Sequence, residues 1–156
     1  DYLLLVDKIK AAMPDISITT DIIVGFPGEN DEDLEETIDV VRKVGYDSAF
    51  TFQYSKRTGT PAASMENQAS KEDVTRRFDK LLKVVQEVAA ERTSRFEGQV
   101  MKVLVEEPDT HEEGMLTGRL GNNTVVHFPG DESLIGKIID VRLDECKGFY
   151  YIGSRV

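Results

Sequence analysis

The hydrophobic pattern of this chain changes period once, near residue 98, and the switch forces two architectures on one polypeptide. Before it, apolar residues recur at helical spacing or sit in short runs between helical stretches. After it, short runs separated by Gly, Asn and Asp succeed one another with no helical stretch between them. The switch places a domain boundary around Arg95–Gly98. It divides the chain into residues 1–69, a helix over 70–94 and a small domain over 95–156.

In the first part, the opening "DYLLLVDKIKAAMPD" predicts an amphipathic helix that turns Leu3, Leu4, Val6 and Ile9 toward a core and breaks at Pro14. Ile16–Val24 reads as a strand. Its last residues, Ile22, Ile23 and Val24, are apolar on both parities, which predicts cover on both faces. Asn30 or Asp31 can cap the next helix, and Asp31, Glu32 and Asp33 suit its positive end. Leu34, Ile38, Val41 and Val44 form its apolar stripe, Gly45 stops it, and Ala49–Tyr54 reads as a second strand. A strand–helix–strand crossover makes parallel strands. Two segments then open onto one face: "GFPGE" (Gly25–Glu29) and "YSKRTGTPAA" (Tyr54–Ala63). Parallel α/β folds place ligands at that face.

Ser70 and Asp73 predict the start of a long helix. Its apolar stripe is Val74, Phe78, Leu81, Leu82, Val85, Val88 and Ala89, and its opposite face holds Arg76, Arg77, Lys80 and Lys83. Beyond Gly98 five strands are expected, over Gln99–Glu106, Met115–Leu120, Thr124–Phe128, Lys137–Leu143 and Phe149–Gly153. That spacing suggests a small antiparallel barrel of the OB-like kind.

Charge narrows the partners. The net charge is −10, which argues against a general electrostatic grip on nucleic acid. Residues 1–69 carry 6 basic and 13 acidic side chains, residues 70–93 carry 6 and 5, and residues 94–156 carry 7 and 11. Any RNA contact must therefore rest on a local patch. The single cysteine, Cys146, excludes an internal disulfide and any Cys-ligated iron–sulfur cluster built from this chain alone. It reads as a small buried or half-buried side chain. His111 and His127 lack helical metal-ligand spacing. No apolar run approaches the roughly 20 residues of a membrane span, so no membrane partner is expected. The chain opens on Asp1, inside a helix, and is expected to be a piece of a longer protein.

Gly25, Pro27, Gly28 and Glu29 serve either as a tight strand-to-helix turn or as a cradle in which exposed amides meet an anionic ligand. Neither a Walker loop nor a Gly-x-Gly-x-x-Gly fingerprint is present. In the charged loop beside it, Arg57 could pair with a carboxylate or phosphate, whereas Ser55 has no nearby His to activate it. In the barrel, Arg119, His127, Phe128, Arg142, Phe149, Tyr150 and Tyr151 mix basic and aromatic types. Aromatics of a small barrel go mainly to its core, while exposed rings beside Arg or Lys can stack bases. The acidic turn "EEPDTHEEG" (Glu106–Gly114) is expected to point away from RNA.

Together "TTDIIVGFPGE" and "YDSAFTFQYSKRTGTPAA" resemble the later part of the radical S-adenosylmethionine domain of methylthiotransferases. "MLTGRLGNNTVVHFPGDESLIGKIIDVRLDECKGFYYIG" resembles their TRAM domain, a small RNA-binding barrel. The form of Tyr54–Ala63 is similar to the MiaB-type branch, which methylthiolates an isopentenyl-type adenosine beside the tRNA anticodon. The resemblance implies an α/β plus all-β chain: the C-terminal part of a radical (βα) partial barrel, a connecting helix and a five-stranded TRAM barrel. It implies S-adenosylmethionine and two [4Fe-4S] clusters in a full-length parent, with neither set of cluster cysteines in this chain, which alone should be inactive. It also implies a tRNA anticodon stem-loop as substrate, a sulfur donor system for the parent and a cytoplasmic setting. Gly25, Pro27, Gly28, Glu29 and Arg57 are the residues it assigns to cofactor contact, and Lys102, Arg119, Arg142 and Tyr150 those expected to meet RNA. A ribosomal-protein methylthiotransferase and a non-catalytic RNA-binding module are the alternatives. The −4 charge of the last domain suits the former. Strand edges left open by truncation are expected to favour self-association.

Overall fold

The crossover expected from the sequence is formed. The computed structural model describes all 156 residues and contains two units, Asp1–Ala89 and Ala90–Val156. In the first, α1 (Tyr2–Ala12), β1 (Thr19–Val24), α2 (Asp31–Val44), β2 (Ser48–Gln53), the single turn α3 (Pro61–Ser64) and the long α4 (Lys71–Ser94) follow in chain order, the last residues of α4, from Ala90 on, belonging to the second unit. β1 and β2 pair in parallel, from Thr19 opposite Ser48 to Val24 opposite Gln53. The chain thus carries a two-stranded parallel sheet, and no partial barrel is completed within it.

Helix α2 shows why the crossover forms. Asn30 accepts hydrogen bonds from the amides of Glu32 and Asp33, and the Asp33 carboxylate in turn accepts one from the amide of Asn30, a complete capping box. Leu34, Ile38, Val41 and Val44 are all buried, and Gly45 ends the helix at φ 61°. These side chains pack with Val6, Val24, Tyr46, Leu81, Val84 and Val85 in one core. The helix over 71–94, read from the sequence as a connector, therefore gives its stripe to the first unit's core.

Three expectations need correction. Strand β1 begins at Thr19 rather than Ile16, because the Ile18 amide turns aside to the Asp47 carboxylate at 3.0 Å. Its cover is one-sided: Val24 is buried, but Ile23 is 54% exposed and stands beside Phe50 and Phe52, at 61% and 51%. The helices lie against one face of the sheet and leave the other open. Leu4 of α1 is also exposed, since Val6 and its half-buried neighbours Leu3 and Ile9 already define the inward side.

In the second unit β3 (Val100–Pro108), β4 (Met115–Leu120), β5 (Val125–Pro129), β6 (Ile138–Cys146) and β7 (Tyr150–Arg155) close a barrel in the order β3-β4-β5-β7-β6. A 3-10 turn, Glu132–Leu134, precedes β6. The barrel is mixed rather than antiparallel, because β5 and β7 run parallel. Directions alternate around a closed ring only when the number of strands is even, so a ring of five must contain a parallel pair. Inward positions alternate strictly along β4 and β7, and Val103, Val105, Leu116, Val126, Phe128, Val141, Leu143 and Tyr151 fill the interior. The Tyr151 hydroxyl donates to the Thr93 carbonyl, and burial pushes that phenol up to about 12.

Gly25 is fixed by geometry twice over. Its φ is +81°, and a Cβ there would stand 2.6 Å from Cγ2 of Val74. Gly28 has φ +89° but open space around it. Gly25→Ala is expected to cost about 2–4 kcal/mol, the left-handed penalty plus the overpacking, and Gly28→Ala only about 1–2 kcal/mol. Urea midpoints of the helical circular dichroism signal measure both, and equal losses would refute the contact with Val74.

Candidate functional site

The strand ends of the first unit meet as the crossover requires. The Tyr54 amide donates to the Val24 carbonyl at 2.8 Å, and the Phe26 and Tyr54 rings meet edge to face with centroids 5.3 Å apart. The corner Gly25–Glu29 and the loop Tyr54–Ala63 therefore leave the sheet at the same end.

The corner does not present the open cradle of amides that its glycines suggest. The Glu29 carboxylate folds back to accept the Gly25 amide with both oxygens at 3.1 Å, and takes the Phe26 amide at 3.4 Å. The Gly28 amide donates to the Asn67 carbonyl and the Glu29 amide to the Phe26 carbonyl. Pro27 has no amide to offer. Arg77 closes the corner from α4: its Nε donates to Asp31 at 2.7 Å and its Nη1 to the Glu29 carbonyl at 2.7 Å. Helical spacing puts Arg77 on the face opposite the stripe, yet it is buried, because it turns into the corner to reach Asp31 and the Glu29 carbonyl. The guanidinium of Arg77, then that of Arg76, holds the Asp31 carboxyl below the usual carboxylate range. Glu29 and its neighbours are thus spent on the architecture of the turn.

Arg57 is exposed, and its side chain has no partner within the chain. Its carbonyl accepts the Thr60 hydroxyl at 2.8 Å, which sets the bend before Pro61. Lys56, Thr58, Gly59, Thr60, Pro61, Ala63 and Ser64 line an open groove of about 710 Å³. A Cys-ligated cluster does not fit this chain: Cys146 is its one cysteine and lies against the barrel core, and no three His, Cys, Asp or Glu side chains converge.

In the barrel the residues expected to meet RNA fall into two groups on the outer surface. Lys102 and Arg142 lie along the β3–β6 ladder, while Arg119 and Tyr150 share one row across β4, β5 and β7 through Val125. Each cation has a carboxylate partner: Lys102 with Asp140 at 3.2 Å, Arg119 with Glu106 at 2.9 Å and Arg142 with Asp144 at 2.6 Å. Such solvent-exposed pairs contribute at most about 1 kcal/mol, so a phosphate can exchange for the carboxylate.

One cluster was missed by sequence reasoning. Asp109, 6% exposed in its side chain, accepts the amides of His111 at 2.7 Å and Glu112 at 3.1 Å, the Thr117 hydroxyl at 3.2 Å, and His127 Nδ1. The His111 amide, with the others, draws its carboxyl below the usual range. An ionised carboxylate only accepts, so His127 Nδ1 carries the hydrogen, and Nε2 has no partner in the chain. The His127 ring meets Tyr150 edge to face at 5.2 Å, and Tyr150 meets Phe149 at 6.0 Å. The turn around Asp109 was legible as an Asx turn, but its partner His127 lies 18 residues away.

Comparison with known proteins decides the second unit: residues 94–156 match the TRAM domain family. The chain carries a TRAM domain. Over 154 residues, 99% of its length, it is 59% identical to a tRNA-2-methylthio-N(6)-dimethylallyladenosine synthase of Lachnoclostridium phytofermentans, covering 34% of that protein. It is 49% identical over 154 residues to the synthase of that name from Alkaliphilus oremlandii, covering 33% of it. Against the one from Acetivibrio thermocellus it is 49% identical over 156 residues, covering 32%. The chain spans about a third of the length of these curated relatives. No helix is long and apolar enough to cross a membrane.

Asp109 gives the TRAM barrel a testable acid dependence. Its folded pKa lies below its unfolded value, so its contribution is complete above about 4 and fades as the pH falls through the folded value. Asp109→Asn is expected to lower the melting temperature at pH 7 and to converge on the wild type in acid. Thermal melts at several pH values measure this, and a gap constant with pH would refute it.

Proposed function

We propose that this chain is the later part of a tRNA methylthiotransferase, in which the first unit ends a radical S-adenosylmethionine domain and the TRAM barrel holds the tRNA. The 59% identity over nearly the whole chain to a synthase named for 2-methylthio-N(6)-dimethylallyladenosine carries this reading. The parent adds a methylthio group to an isopentenyl-type adenosine next to the anticodon, drawing on S-adenosylmethionine and two [4Fe-4S] clusters held elsewhere in its length, with sulfur from a donor system. When bound, S-adenosylmethionine supplies the radical, and the clusters supply the electron and take part in sulfur insertion.

This chain's contribution is binding and orientation. Gly25, Pro27, Gly28 and Glu29 shape the wall beside the cofactor, and the internally satisfied amides make that wall rigid rather than anion-holding. Arg57 offers the uncommitted cation of the adjoining loop. The open sheet face of Ile23, Phe50 and Phe52 is large and apolar, and suits cover by the remaining two thirds of the parent. Without that cover, exposed strand edges favour self-association of this chain.

The tRNA reading is tested by titrating an anticodon stem-loop into the 156-residue chain at several salt concentrations. Weak binding is expected, with a log–log salt slope of magnitude below about 3, because the barrel cations are already paired. No binding even at low salt would sink the RNA role. Reconstitution with iron and sulfide is expected to give no four-iron absorbance, since only Cys146 is present. A stable cluster on this chain would overturn the assignment of the ligands to the rest of the parent. The full-length gene product, assayed on tRNA and on ribosomal protein, separates this reading from a ribosomal-protein methylthiotransferase.

A further inference from the structure

We propose that Phe149, Tyr150 and His127 form a stacking platform for an unpaired base of an RNA strand, an inference that rests on the RNA-binding reading of the TRAM barrel. Phe149 stands at the tip of the β6–β7 hairpin, where the Lys147 amide donates to the Tyr150 carbonyl at 2.8 Å and Gly148 takes φ +89°. Tip positions of this kind ordinarily hold small polar residues that suit the turn and meet water. Here the position holds a phenyl ring that is 77% exposed. It adds nothing to the barrel core, which is filled by Phe96, Phe128, Tyr151 and aliphatic side chains.

The ring is not isolated. It leans on Tyr150 at 6.0 Å, and Tyr150 meets the edge of His127 at 5.2 Å. His127 is in turn held by Asp109, itself fixed by two backbone amides and Thr117. Asp109 thus holds the His127 ring at one end of a three-ring row whose other end, Phe149, stands in solvent. A flat π-surface of fixed tilt, bordered by polar groups, fits a nucleobase better than an aliphatic side chain. The base must be unpaired, because only then is its face free. The unpartnered Nε2 of His127 is left for a hydrogen bond with a ribose 2′-hydroxyl or a base edge, groups that both donate and accept. Lys147, paired only with the exposed Glu145, and Arg119 in the same row as Tyr150 stand ready for the flanking phosphates.

The test is fluorescence anisotropy with a labelled single-stranded oligoribonucleotide of about ten nucleotides and with the anticodon stem-loop. The full chain is compared with Phe149→Ala, Phe149→Leu and Phe149→Tyr. Phe149 is exposed, so these variants keep the fold, and unchanged thermal melts verify that. Phe149→Ala and Phe149→Leu are each expected to weaken binding on the order of tenfold with the salt slope unchanged, while Phe149→Tyr retains it. Retained affinity in Phe149→Leu would show an apolar contact, as for a peptide, and overturn the platform. Wild-type binding that none of the variants alters would overturn it as well and leave the RNA reading standing. Absence of wild-type binding would overturn both.

Discussion

Much of the first unit hangs on one guanidinium. Arg77 reaches from α4 under the corner and holds the Asp31 carboxylate and the Glu29 carbonyl together. That grip fixes α4 against the start of α2, which in turn lets Val74 approach Gly25 so closely that no side chain fits there. The same placement delivers Leu81, Val84 and Val85 to the core. The guanidinium is itself buried, so its hydrogen bonds to Asp31 and the Glu29 carbonyl are what satisfy its donors there. The corner's negative residues have two duties as a result. Glu29 closes the turn from within, and Asp31 anchors the helix that lies over it.

The barrel handles charge differently. Its acids outnumber its bases, and Lys102, Arg119, Arg142 and Lys147 all have carboxylate partners at the surface. Exposed pairs of this sort add little stability, and they keep the surface potential low. On the proposed function, an RNA would gain little from long-range attraction here and would be held by short-range contacts. Rigid aromatic surface supplies such contacts at low cost in side-chain entropy, and Asp109 adds rigidity from beneath.

What could be read from the sequence depended on whether the deciding partner was local. Helix α2 was legible in its stripe from Leu34 to Val44 and its stop at Gly45, and its cap to within Asn30 or Asp31, of which the structure uses Asn30, because all of these are near neighbours. The five barrel strands were legible from their spacing, though not their mixed pairing, which follows only from closure of the ring. Arg77 was misplaced because helical periodicity reports a face and cannot see an acceptor 46 residues away. Ile23 was misplaced because an apolar run implies cover without saying whether this chain provides it. The glycine corner read equally as a tight turn or an anion cradle, because the sequence does not say that the carboxylate of its own Glu29 occupies the Gly25 and Phe26 amides.

The parallel pairing of β5 with β7 has a consequence for synthesis. Strand β7 is the last of the five in chain order, yet it lies between β5 and β6 in the ring. On a ribosome, β3 to β6 therefore emerge with a gap that no earlier segment fills, and Tyr151, a centre of the core, is still missing. Tyr150 and Phe149 arrive with that closing strand and its hairpin tip. Assembly of the aromatic ladder and completion of the fold are one event, so a half-made barrel exposes no finished surface to a passing nucleic acid.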